Sequence, residues 1–177
     1  DVAVDGVPID PSRGSVVALL EAMGGHIARY NLRRIAGEEV ADLRATHSAL
    51  RGGMLTPDLY EPEEAPLLAV AASFAQGDTL FATRPDAPSP HALRRALTAN
   101  GVACREDVDG LWISGGTVLG GGQVTTRLDP ALAMSFLVMG MAAETAVTVD
   151  DQNAMADLFP DFADAFELIG ASLSSPA

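Results

Sequence analysis

Glu63 and Glu64 stand side by side in the stretch Glu61-Pro62-Glu63-Glu64-Ala65-Pro66. Adjacent carboxylates can divide into a general acid and a general base when their surroundings separate their proton affinities. The same pair also precedes an apolar run that starts near Pro66, where carboxylates stabilise a helix N-terminus through its dipole. Arg84, in Thr83-Arg84-Pro85-Asp86, offers a planar fork of donors to a phosphate, or stands solvated in a loop. Asp129 could orient a group in a cleft. It also sits where a helix N-cap is expected, with Pro130 at the first helical position. His26, His47 and His91 are far apart, without metal-ligand spacing, and read as structural. Cys104 is the only cysteine, which excludes an internal disulfide and a thiolate metal cluster. Gly120-Gly121-Gly122 lacks the strand and helix that flank a nucleotide-binding glycine loop and reads as a flexible loop. No cofactor or metal is expected from these residues.

The charge balance constrains the ligands. The 177 residues carry 24 acidic and 11 basic side chains, a net charge of −13. That field repels nucleic acid and anionic membranes, and it opposes phosphorylated substrates unless a local basic pocket overcomes it. Hydrophobic residues make up 48% of the chain, which excludes disorder. A chain of this length buries roughly 70% of its unfolded surface without staples. The longest apolar run, residues 131–143, is too short to span a bilayer and reads as a buried helix. With one cysteine and no signal-peptide pattern, a cytoplasmic protein is expected. The chain begins at Asp1 rather than Met, which reads as a piece of a longer or trimmed chain.

The elements that must position these residues repeat. Leu20-Glu21-Ala22-Met23-Gly24-Gly25, Leu97-Thr98-Ala99-Asn100-Gly101-Val102 and Phe166-Glu167-Leu168-Ile169-Gly170-Ala171 each read as a helix end, a left-handed glycine cap and a new strand. Two apolar helices interleave with them. Residues 66–72 lead into a strand near 79–82, and residues 131–143 lead into 146–149. Ser12 caps a helix over about 13–23. Residues 27–33 and 40–46 alternate as strands about a turn at Gly37-Glu38-Glu39. Residues 91–99 form a short amphipathic helix, and 102–106 and 111–114 form a hairpin across Asp109-Gly110. A last helix covers about 161–169, and Met134, Met139 and Met141 fill core. Helices that are apolar all round should lie inside, surrounded by sheets. The expectation is a single α/β (α+β) domain over residues 1–177, built from repeated βαβαββ-type units with buried helices.

Several blocks in order resemble the 5-enolpyruvylshikimate-3-phosphate synthase family. Asp129 and Ala133-Met134-Ser135-Phe136 match its Asp-His-Arg-x-Ala-Met-Ser-Phe. Asn31-Leu32-Arg33, Gly37-Glu38-Glu39-Val40-Ala41-Asp42-Leu43, His47-Ser48-Ala49-Leu50-Arg51-Gly52 and Phe159-Pro160-Asp161-Phe162 look like further family blocks. The resemblance runs from about residue 2 to 171 and corresponds to the C-terminal of the family's two domains. It implies the enolpyruvyl transferase fold, with the site in a cleft between this domain and an N-terminal one. It also implies transfer of the carboxyvinyl group of phosphoenolpyruvate to shikimate 3-phosphate.

The family positions for that chemistry are altered here. Its catalytic Asp falls on Glu63. Its Lys falls on Pro85 and a following Arg near Ser89, which leaves Arg84 and Asp86 as the charges of that stretch. The His-Arg pair after Asp129 is Pro130-Ala131. A position where members carry Lys or Thr holds Asp157. One lost charge-assisted contact in a dry site removes roughly 3–4 kcal/mol of transition-state stabilisation. Three such losses would remove most of an advantage of ~8–23 kcal/mol. Three readings follow from the resemblance: a transferase domain that is inactive alone, a degenerate homologue acting as a binding or regulatory module, and a divergent transferase with another substrate. Under the first, Glu63 is the catalytic position, and Arg84 and Asp129 are the candidate contacts to a small anionic substrate.

Overall fold

The computed structural model describes residues 1–9, 16–83, 90–150, 155 and 158–174. Ser12, the stretch from Arg84 to Ser89, and Asp157 lie outside the described residues.

The middle of the chain shows the repeating unit in full. Strand β4 (Met54–Leu55) leads through a 3₁₀ turn at Pro62–Glu64 into α2 (Ala65–Ser73), then β5 (Asp78–Ala82), α3 (His91–Ala99), β6 (Ala103–Glu106) and β7 (Gly110–Ser114). This is βαβαββ. The four strands form one sheet in the order β4-β5-β7-β6, with β4 parallel to β5 and β7 antiparallel to both of its neighbours. The preceding stretch repeats the later part of the unit: β1 (Val2–Pro8), α1 (Val16–Ala22), β2 (His26–Ile35) and β3 (Glu38–Thr46), in the order β1-β3-β2. In both sheets the last strand of the unit lies between the two that flank the helix. The third copy begins with β8 (Gln123–Val124), α4 (Pro130–Ala142) and β9 (Thr148–Val149), with β8 parallel to β9, and continues into α5 (Phe162–Leu168).

The three glycine caps show the repeat at atomic detail. Gly24, Gly101 and Gly170 have φ of 100°, 81° and 98°. After each, the next amide returns to the carbonyl five residues back: Gly25 to Leu20 at 2.7 Å, Val102 to Leu97 at 3.1 Å, Ala171 to Phe166 at 3.0 Å. This is the six-to-one bond of a Schellman cap, and it needs a left-handed residue at the glycine. The same local sequence therefore turns the chain the same way three times.

The core is one connected cluster that reaches from Leu19 through Leu68, Leu97 and Phe136 to Phe162. Helix α2 packs on α4 and on β7, α4 also on β9, and α3 on β6 and β8. Leu68, Phe136 and Met139 are fully buried, each contributing roughly 1.5–3 kcal/mol by leaving water. The buried hydroxyls of Ser73 and Ser135 donate to the carbonyls of Ala69 and Ala131, four residues earlier in their own helices, at 2.8 and 2.7 Å. The apolar helices are thus interior, as their all-round composition implies. Helix α3 is amphipathic, with Leu93, Ala96 and Leu97 buried.

Four local expectations change. Residues 120–122 are a packed junction, not a flexible loop. Gly120 bridges Thr145, and a Cβ on Gly122 would stand 2.4 Å from the Ala99 carbonyl oxygen. The first hairpin turns at Ala36-Gly37, both with positive φ, so Glu38 and Glu39 already belong to β3. Strand β9 begins at Thr148 rather than 146. Met141 is 41% exposed and fills no core.

Candidate functional site

Two helix N-termini carry the sequence-predicted site residues. The first follows β4. The Glu61 backbone carbonyl accepts the Glu64 amide, and the Glu64 carboxylate accepts the Glu61 amide, both at 2.9 Å. Glu64 is consumed by this turn. Glu63, one residue earlier, is exposed and makes no hydrogen bond with a described residue. Its carboxylate is available to a ligand and also favourably placed at the start of α2, since anions are stabilised there.

The second N-terminus follows β8. The Asp129 Oδ1 accepts the Leu132 amide at 3.0 Å, the geometry of an N-cap, with Pro130 in the first turn. Neither Pro130 nor Ala131 brings charge. The loop before the cap is constrained. Arg127 and Leu128 both hold left-handed φ, 55° and 66°, a conformation that costs a non-glycine residue about 1–3 kcal/mol. Its anchors are the Thr126 amide and hydroxyl, which both donate to Asp150 Oδ1 at 2.8 and 2.7 Å. α2 and α4 pack together, yet no hydrogen bond or ion pair among the described residues joins Glu63 to Asp129. Arg84 and Asp157 lie outside the described residues, so the structure places neither.

Asn31, Arg33 and Ser48 serve the scaffold. Asn31 has φ of 48° and donates through Nδ2 to Asp42 Oδ2 at 2.9 Å. Gly6 N donates to Asp42 Oδ1 at 2.8 Å, and Arg33 Nη1 lies 2.8 Å from the same oxygen. The Asn31 hydrogen bond first, then those from Gly6 and Arg33, hold the Asp42 carboxyl below the usual carboxylate range. This cluster joins β1, β2 and β3 where the register shifts between Tyr30 and Arg33. Ser48 Oγ accepts the His26 amide at 3.1 Å and steadies the start of β2. Cys104 is half-buried, and burial pushes its thiol up to about 11, so it is a poor nucleophile at neutral pH.

A cavity of about 340 Å³ runs along α3 against β8, and sequence reasoning did not single it out. Arg94 and Arg95 from α3 and Arg127 from the strained loop line it, with His91. Arg94 Nε and His91 Nδ1 approach Glu106 Oε2 at 3.6 and 3.7 Å. The adjacent arginines of Leu93-Arg94-Arg95-Ala96 on an amphipathic helix were the available signal. Their meeting with Arg127, 32 residues on in the numbering of the chain, depends on the α3–β8 packing. Among the described residues, no group of three His, Cys, Asp or Glu side chains could hold a metal ion. None of the described helices is long and apolar enough to cross a membrane.

Comparison with known proteins places these features in a family. Residues 1–166 match the family described as EPSP synthase (3-phosphoshikimate 1-carboxyvinyltransferase). The 3-phosphoshikimate 1-carboxyvinyltransferase of Pseudomonas sp. (strain PG2982) is 42% identical over 183 residues, covering 98% of this chain and 41% of the relative. That of Chelativorans sp. (strain BNC1) is 39% identical over 184 residues, with the same coverage. The chain thus spans about two-fifths of the length of these relatives. An EPSP synthase from Acinetobacter baumannii superimposes with a TM-score of 0.85 at 26% identity, over 99% of this chain and 42% of that one. The enolpyruvyl transferase NikO from Streptomyces tendae shares the fold, with a TM-score of 0.60 at 18% identity over 90% of this chain and 36% of that one. This chain belongs to the EPSP synthase family.

Proposed function

We propose that residues 1–177 are a single domain equivalent to the C-terminal domain of an enolpyruvyl transferase, and that this domain alone does not transfer an enolpyruvyl group. Together with a second domain it forms one wall of a cleft for a small anionic substrate. In that cleft Glu63 takes the catalytic carboxylate position, and Arg84 and Asp129 are the contacts nearest the ligand. The observation that carries this reading is the N-terminus of α4. Asp129 caps the helix through Oδ1, and the next two residues, Pro130 and Ala131, supply no cation. A site for two polyanions needs several fixed cations. A free, half-buried thiol at Cys104 is compatible with a cytoplasmic setting.

Isothermal titration with phosphoenolpyruvate and shikimate 3-phosphate, separately and together, tests this reading. The expected result is millimolar or absent binding of phosphoenolpyruvate and no release of inorganic phosphate from the mixture. Micromolar binding that tightens when both ligands are present would overturn it. A second reading, a non-catalytic binding module, is favoured by the uncharged Pro130-Ala131 pair. A ligand that binds without turnover even when the full two-domain protein is assayed would select it.

A further inference from the structure

All eleven cationic residues of this chain are arginines, in a molecule of net charge −13. Three of them, Arg94, Arg95 and Arg127, line the cavity between α3 and β8 together with His91. Among the described residues, Arg94 and His91 approach a carboxylate, and they share it, since both lie near the one Oε2 atom of Glu106. Arg95 and Arg127 form no ion pair with a described residue. Arg94 Nε is buried without a hydrogen bond to a described residue, because 3.6 Å to Glu106 is too long to be one. Guanidinium groups gathered in a concavity repel one another unless an anion enters. Negative charge more than about 8 Å from the cavity is screened at physiological ionic strength.

The backbone supplies an independent observation. Arg127 is held in a left-handed conformation, followed by a second left-handed residue, Leu128. The Thr126–Asp150 hydrogen bonds on one side and the Asp129 cap on the other over-determine that conformation. Strain retained by its surroundings is a mark of a positioned side chain, and the side chain it positions is the arginine at the β8 wall of the cavity.

We propose that this cavity is a binding site for a phosphoryl group, carried by a small organic phosphate or present as free phosphate. Arginine forks bind a tetrahedral dianion through paired donors, which a lone carboxylate ligand would use less fully. Gln123 and Thr125 offer polar contacts to hydroxyls of an organic portion, and the volume lies at the small end of ordinary ligand sites. None of these residues is among the candidate contacts named for the function proposed above, so the proposal goes beyond that reading, although Arg127 shares its loop with Asp129.

The test is a ¹H–¹⁵N NMR titration of the chain with inorganic phosphate and with glycerol 3-phosphate, at ionic strength held constant with sodium chloride. Saturable shifts confined to amides of α3 and β8 are expected for both. Tighter glycerol 3-phosphate binding assigns the site to organic phosphates, and equal affinities assign it to free phosphate. The R95Q/R127Q variant should keep its thermal midpoint and bind about tenfold or more weakly. Arg127→Gly should hold or raise the thermal midpoint, because glycine accepts the left-handed φ, yet weaken binding. The proposal is overturned by the absence of saturable shifts, by equal shifts from chloride alone, or by undiminished affinity in both variants.

Discussion

One loop serves two regions that have opposite chemistry. At Asp129 it closes the N-terminus of α4, a corner where the two residues after the cap, Pro130 and Ala131, bring no cation. Two residues earlier, at Arg127, it lines the cavity along α3, where cations gather without any family motif. The difference shows that scaffold and charge are separable. Capping, the proline at the helix start and the buried Ala133, Ser135 and Phe136 are demands of folding, set by how α4 must pack. Positive charge is a demand of an anionic ligand, and it is absent from the two residues after the cap and gathered at the cavity.

The largest expected effect comes from removing what the two regions share. Phe136 is fully buried in the cluster that joins α4 to the rest of the core. Phe136→Ala should destabilise the fold by roughly 3–5 kcal/mol, measured by urea unfolding. A loss well below that range would show that α4 is not a common support, and the comparison would have to be drawn between independently stable parts.

Asn100 separates the regions more finely. It is fully buried. Its Nδ2 donates to the Ala96 carbonyl at 2.9 Å, and its Oδ1 accepts the Gly122 amide at 3.0 Å. The side chain therefore ties the end of α3 to the residue just before β8, joining the two walls of the cavity. Asn100→Ala leaves the Gly122 amide without its acceptor and should cost about 1–3 kcal/mol. Phosphate affinity of the cavity should fall with it. If unfolding free energy drops while phosphate affinity holds, the walls are positioned by apolar packing alone.

The organisation of the fold was legible in the sequence because its signals are local. Leu20, Leu97 and Phe166 each begin a helix end whose glycine and following amide close the same cap, and six residues suffice to encode it. The apolar composition of residues 66–72 and 131–143 placed α2 and α4 inside for the same reason. The Asp129 cap was legible from two residues. Gly122 was misread as part of a flexible loop because its constraint comes from the Ala99 carbonyl and Asn100, more than twenty residues away. The cavity was missed for that reason too. Arg94 and Arg95 look like the solvated face of an amphipathic helix until β8 is laid against them, and nothing in their neighbours encodes Arg127. The roles of Asn31 and Arg33 were not legible from the block that contains them. Their place in a family block carries no sign of a partner 9 to 11 residues on, whereas the Asp42 carboxylate engages both.

The smallest predicted effect is the most discriminating for the α4 corner. Asp129→Ala removes the side-chain acceptor of the Leu132 amide and should cost about 1 kcal/mol, whereas Asp129→Asn should cost almost nothing, because asparagine caps as well as aspartate does. The pair of variants separates shape from charge. A carboxylate needed to orient a ligand or move a proton would be disabled by both changes, since the amide of asparagine takes no proton at ordinary pH. Thermal unfolding of the two, alongside ligand titrations in the longest form of the protein, gives each role its own readout. Matched stability with lost binding in Asp129→Asn would support its place as a ligand contact. Unchanged binding in Asp129→Asn, with stability lost only in Asp129→Ala, would confine it to the helix and leave the charge of this loop to Arg127.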